Sequence, residues 1–410
     1  MLIKSGAYIA PSDFSSDCMK ATQEYCMSFK ELECNMTKKM QARCVPSRQT
    51  GFDQCFLSNQ LINFKGTTEM VKLIKPDYYD KFSCTADKCP DNCCIGWEID
   101  IDDETYAKYM SLDGKLGEQL KENTEISEDG SHCFKLKEGD RCPFLNEHNL
   151  CDIILSVGEG FLCNICNDHP RFNNCFGDMR ETGVGISCMT AAELILTKQD
   201  KTIFTETESD EKSYDNDFDA DLLNAFLNVR RQLFDIAQDR TYTITERLSE
   251  MLVYAEQVQS CIEKDSVNDI GFTPVSIEIE EYKKILQKLI PLNDEWTAAA
   301  ENMKFCIDEK TDENAVEQLA VYYIYRHFLS AVYDGYVLSR VKLAVFCCLV
   351  SIWLANSVKA DSFTDKLIKS ACLVSKEIEY CSENIDALLD MSWTEKCLST
   401  ECLLYVLNLK

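Results

Sequence analysis

The sequence predicts a mainly α-helical protein in which an irregular cysteine-rich metal-binding domain is followed by a helical domain. Three observations predict this. Gly and Pro number only 15 and 8 in 410 residues, and few turn-formers beside abundant Leu, Glu, Lys and Ala favour helix. Apolar residues recur at helical spacing through the second half of the chain. Eleven of the 24 cysteines fall between Cys84 and Cys188, in a stretch where short patterned pieces alternate with turn clusters such as Pro90-Asp91-Asn92.

Four regions follow in order. Residues 1–69 are near neutral, poor in aliphatic side chains, and carry Cys18, Cys26, Cys34, Cys44 and Cys55. The run from Met70 to Tyr79 reads as a natural protein start, so 1–69 is expected to be an upstream extension. The rival reading is a helical leader that binds a metal or a partner. Residues 70–200 form the cysteine-rich domain, with a helix expected over 98–122 after an Asp-rich cap, Tyr106, Tyr109 and Leu112 sharing one side. Residues 201–219 are expected to be an acidic linker, because they show no apolar period. Residues 220–410 form the helical domain. There Leu222, Leu223, Phe226, Val229, Leu233 and Ile236 fit one helical face. Similar patterns fill 243–263, 276–290, 313–333, 336–356, 362–380 and 395–409, without an internal repeat.

A formal net charge of −27 argues against nucleic-acid binding and against docking on an anionic bilayer, both of which need clustered Lys and Arg. It favours attraction of a cationic group such as a protein lysine; the plain alternative is a surface kept soluble by charge. The most apolar stretch, 343–354, is too short to span a bilayer and follows Arg340 and Lys342, so it reads as a buried helix. The first residues show no secretory signal. These features predict a cytoplasmic protein whose thiols stay reduced or bind metal.

The cysteines carry the strongest chemical signal. Cys84, Cys89, Cys93 and Cys94 precede Trp97. Cys133, Cys142 and Cys151 follow, then Cys163-x2-Cys166-x2-His169, Cys175 and Cys188. A C-x2-C pair lets two thiolates face one centre across a tight turn, the usual first half of a zinc or iron–sulfur site. Thiolates suit Zn, Cu(I) or iron–sulfur cores. Cysteines of the helical half, such as Cys347, Cys348, Cys372 and Cys397, read instead as small buried hydrophobes. Gly158-x-Gly160 and Gly183-x-Gly185 are lone G-x-G matches without the strand–turn–helix context of a dinucleotide site. No radical-type C-x3-C-x2-C triplet, Walker A loop or H-E-x-x-H motif occurs.

At these residues the chain resembles the flagellin lysine-N-methylase family. The carrying stretches are Ile74-Lys75-Pro76-Asp77-Tyr78-Tyr79, Cys89 to Trp97, Cys142 to Asn146, Cys163 to Phe172 with Asp168-His169-Pro170-Arg171, and Glu181 to Cys188. In the helical half they are Tyr325 to Leu329, Ala331 to Gly335 and Leu338 to Lys342. The resemblance covers nearly all of 70–410 and leaves out 1–69. It implies a [4Fe–4S] protein that transfers methyl groups from S-adenosylmethionine to flagellin lysines. The expected ligands are four among Cys89, Cys93, Cys94, Cys142, Cys151, Cys163, Cys166 and Cys188, with zinc as the alternative metal. Cys133 and Cys175 depart from the family's pattern. Candidate catalytic residues are Asp168, His169 and Glu181. Candidate cofactor-binding residues are Arg171, Gly183, Gly185, Arg326, Asp334 and Arg340; for Arg326, Asp334 and Arg340 the competing expectation is ion pairing between packed helices. The competing function is a non-catalytic zinc- or iron–sulfur-binding cysteine-cluster module whose helical domain binds a partner.

Overall fold

A computed structural model of the protein describes residues 71–127, 130–210, 218–263, 272–292, 294–307 and 310–409. Both expectations for 1–69 lie outside the described residues. The first elements are strand β1 (Val71–Pro76), the short β2 (Asp100–Ile101), helices α1 (Asp103–Ser111) and α2 (Gly114–Glu122), and strands β3 (Thr124–Ile126) and β4 (His132–Phe134). Then come α3 (Asp152–Val157), α4 (Asn164–Asp168), β5 (Arg171–Phe176), β6 (Met179–Val184), α5 (Met189–Leu196) and β7 (Phe204–Ser209). The rest is helical: α6 (Ala220–Ala237), α7 (Ile244–Glu263), α8 (Glu280–Gln287), α9 (Asp294–Glu301) and α10 (Glu313–His327) lead to α11 (Val337–Ala355), α12 (Phe363–Glu379), α13 (Ser382–Thr394) and α14 (Thr400–Leu407). The mainly α class is as expected.

The cysteine-rich half is more ordered than its composition implies. Four strands form one sheet in the order β5-β6-β1-β7, and three form a second in the order β2-β4-β3. β1 runs parallel to β6 and antiparallel to β7. The acidic segment expected as a linker therefore includes a full strand: Phe204–Ser209 pairs with β1 along its whole length. Its four central residues, Thr205 to Glu208, are all exposed, as suits charged and polar side chains on an edge strand. The helix expected over 98–122 is two helices, broken at Leu112-Asp113-Gly114, where Gly114 takes a positive φ of 82° that other residues resist. Asp102 supplies the expected cap by accepting the Thr105 N–H at 3.0 Å.

Two hydrophobic cores result. The large one joins the four-stranded sheet and α5 to the helices from α6 to α14, so the sheet belongs with the helical body. The small one holds Ile99, Tyr109, Leu120, Phe134 and Phe144 together with Cys142 and Cys163. The cysteine-bearing excursion thus leaves the main body after β1 and returns at β5. α11 is long and apolar enough to cross a membrane, yet its whole length is buried inside the protein, where it packs on α7, α10, α12 and α13. The Tyr325 hydroxyl fixes the sheet to α10, lying 2.9 Å from the Ile74 carbonyl and 3.1 Å from that of Thr182.

Candidate metal centre and adjoining seam

Backbone hydrogen bonds bring the cysteine loops together. The Cys142 N–H donates to the Cys94 carbonyl at 2.9 Å, and the Asp152 N–H to that of Phe144 at 2.8 Å. Gly96, at a φ of 82°, lets the chain turn back so that its N–H reaches the Asp140 carbonyl at 2.9 Å. The second oxygen of Asp102 accepts the Asn164 N–H at 2.9 Å, tying the start of α4, and so Cys163, to the start of α1. The Tyr109 hydroxyl donates to the Phe161 carbonyl at 2.7 Å beneath the same loop.

The thiols fall into two adjoining groups. Cys94, Cys142, Cys151, Cys163 and Cys166 act electrostatically on one another. Cys188 faces Cys89 and Cys93, and Cys372 faces Cys188. A thiol–thiol hydrogen bond between Cys93 and Cys94 links the two groups, lowering Cys93 to about 7 and raising Cys94. The same pattern joins Cys163, lowered, to Cys166, raised. Burial pushes Cys142 and Cys188 up to about 11, while nearby amides pull back. Cys151, Cys163 and Cys188 occupy the N-caps of α3, α4 and α5. Amides of those first turns favour thiolate at each sulfur. A buried set of this kind is poorly held as thiolates alone and suits a soft cation. By donor chemistry the first group fits a thiolate-bound metal. The sulfurs are not drawn into a ligand shell: among the described residues no group of three or more His, Cys, Asp or Glu has metal-binding geometry. Cys84 is exposed, and Cys133 lies among Glu98, Glu125 and Asp100.

Beside the second group, the cysteine-rich excursion meets α12. Cys372, Lys376 and Tyr380 stand four residues apart and so share one helical face. Cys372 donates to the Ser187 carbonyl at 2.9 Å, Lys376 pairs with Asp91 at 2.5 Å, and the Tyr380 ring lies 5.1 Å from Trp97 and 6.3 Å from His169. Burial, with Lys376 and Arg326 nearby, lowers His169 to about 4, so it is neutral near pH 7. Its Nε2 is buried and has no hydrogen-bond partner. The Arg326 guanidinium sits over Phe172 at 4.7 Å and Tyr380 at 5.6 Å, donates to the Tyr322 hydroxyl at 2.7 Å, and pairs with Glu379 at 3.1 Å.

The sequence-predicted residues are distributed unevenly over this seam. His169, Gly185 and Arg326 meet there: a Cβ on Gly185 would stand 2.9 Å from Arg326 Nη1 and 3.1 Å from the Tyr380 hydroxyl. Asp168 is exposed at the end of α4. Arg171 stacks over Phe82 at 5.3 Å. Gly183 is covered by Phe172, whose ring a Cβ would strike at 2.3 Å. Glu181 is fully buried and held by both terminal nitrogens of Arg230. Asp334 and Arg340 pair with each other at 2.6 Å, with Ser330 accepting from Arg340 Nε, a local pair between the turn before α11 and its first turn. Sequence reasoning missed Cys372, Lys376, Glu379 and Tyr380; their common helical spacing is the signal that was present.

A thiol-rich centre carried on a helical body is the class of site that these elements define. In comparisons with known proteins, the chain is similar to the flagellar biosynthetic protein FliU of Salmonella muenchen, 26% identical over 144 residues that cover 34% of this chain and 85% of FliU. It is also similar to the lysine-N-methylases of Salmonella typhimurium and Salmonella choleraesuis, each 25% identical over 141 residues. That match covers 33% of this chain and only 35% of either methylase. No family model matches the chain, and no solved structure does.

Proposed function

We propose that this protein is a cytoplasmic enzyme that N-methylates lysine side chains of flagellin with S-adenosylmethionine, at the seam beside a cysteine-held [4Fe–4S] cluster. The observation that carries the reading is the similarity to proteins named lysine-N-methylase. The local chemistry supports it. Cys94, Cys142, Cys163 and Cys166, with Cys151 beside them, are the thiols that would hold the cluster, because they act electrostatically on one another. A cluster bound there would supply the positive charge that a buried thiolate set requires.

Methyl transfer needs a neutral amine. The lysine ammonium gives its proton to water before attack. The amine lone pair then forms the N–C bond to the sulfonium methyl; the C–S bond breaks, and its electron pair stays on sulfur. His169, held near a pKa of about 4, is too weak a base to keep a proton taken from an ammonium. Its role in this scheme is to accept an N–H hydrogen bond at Nε2 and so aim the lone pair. The positive field of Arg326 and Lys376, which depresses His169, also lowers the pKa of an incoming amine.

Anaerobic purification with iron, sulfide and zinc assays tests the cofactor. A brown protein with iron and sulfide is expected. Cys94→Ser, Cys142→Ser, Cys163→Ser and Cys166→Ser should each lose iron, while Cys397→Ser should keep it. Stoichiometric zinc without iron, and no affinity for S-adenosylmethionine, would favour the non-catalytic cysteine-cluster module instead.

A further inference from the structure

Trp97 and Tyr380 come from opposite sides of the seam. Trp97 follows Cys94 by three residues on the cysteine-rich excursion, and Tyr380 ends α12. Their rings lie 5.1 Å apart at 55°, so they make an open corner and not a flat stack. Tyr380 is 36% exposed and Trp97 half-buried, which leaves apolar ring surface toward solvent. His169 closes the inner end of the corner, 6.3 Å from Tyr380. Its buried Nε2 lacks a partner, and an unpaired buried nitrogen is costly unless something fills its place. The nearby charges are paired within the protein, Lys376 with Asp91 at 2.5 Å and Arg326 with Glu379 at 3.1 Å. The corner therefore presents an apolar wall with a buried imidazole behind it. A lysine side chain has that shape: an alkyl arm that packs on aromatic faces and an amine that donates.

We propose that the Trp97–Tyr380 corner is the slot that receives the target lysine, its alkyl arm against the two rings and its amine turned toward the His169 end of the corner. The assignment rests on the lysine-methylation reading and names residues for its substrate. Trp97 and Tyr380 position the nucleophile and take no part in bond making.

The test uses the full chain, purified anaerobically, with flagellin as the probe. Trp97→Leu and Tyr380→Leu should each raise the KM for flagellin about tenfold, leave S-adenosylmethionine binding unchanged by calorimetry, and leave the denaturation midpoint near wild type. Trp97→Phe and Tyr380→Phe, which keep a ring, should restore most of the KM. Unchanged KM in both Leu variants overturns the slot while leaving the methylase reading intact. A second readout is independent of turnover and of those variants. Trp296 and Trp353 are buried and Trp393 is 44% exposed, so in Trp393→Phe protein the emission that responds to a ligand is that of Trp97. Flagellin should shift this emission and lysine-acetylated flagellin should not. Equal responses to both overturn the slot, and a selective response without methyl transfer upholds the slot while removing the methylase reading.

Discussion

His169 shows how one side chain records its surroundings. Burial comes first and two nearby cations second in holding it near a pKa of about 4, with Asp91 opposing. Its ordinary value is 6.5, so above that pH both the folded and the unfolded chain carry it neutral and it has no pH effect. As pH falls from 6.5 toward 4, the unfolded chain takes up a proton that the folded chain refuses, and stability declines. Below about 4 the decline from this group ends. The full shift corresponds to at most about 3 kcal/mol. His169→Gln should remove that slope: the denaturant midpoints of wild type and variant should run parallel above pH 6.5, and wild type should fall relative to the variant as pH approaches 4. Parallel midpoints across the window would show that His169 is not held neutral. The sequence displayed the Asp168-His169-Pro170-Arg171 motif, but the depression depends on Lys376 and Arg326, which lie far along the chain and which no local pattern connects to it.

At the scale of elements, the helices were legible and the strands were not. α7 and α11 fall close to their expected bounds because a three- to four-residue apolar period survives burial on one or more faces. The strand Phe204–Ser209 was hidden by its glutamates, since charge on the solvent side of an edge strand looks like linker composition. Glu181 shows the same limit for sites. Adjacent to a cysteine motif it reads as a proton acceptor, yet β6 aims it into the core, where Arg230 of α6 holds both oxygens. Removing its charge leaves a buried guanidinium uncompensated, at a cost of about 3–5 kcal/mol. Glu181→Gln should therefore lower the denaturation midpoint strongly, and residual methyl transfer should track the folded fraction. Activity lost at an unchanged midpoint would assign Glu181 to the chemistry.

Across the whole molecule, two opposite fields act at different ranges. In the proposed reaction the net charge of −27 would attract a lysine-bearing partner from afar, while Arg326 and Lys376, near His169 at short range, would favour the neutral amine that attacks. Only the first is strongly screened by salt. Raising ionic strength should increase the KM for flagellin while kcat stays nearly constant; an equal fall in kcat would mean that the local field is screened too. Both halves of the chain contribute to the seam, which explains why composition separated the cysteine-rich and helical regions but could not locate their junction: the pairing of α12 with the cysteine loops is a property of packing alone. The most direct measurement of the central claim is anaerobic incubation of the iron-loaded protein with flagellin and methyl-labelled S-adenosylmethionine, followed by mass spectrometry of flagellin peptides. Labelled N-methyl-lysine is expected, abolished in Cys142→Ser and Cys163→Ser proteins. Unlabelled flagellin from a protein carrying its full iron and sulfide would contradict it.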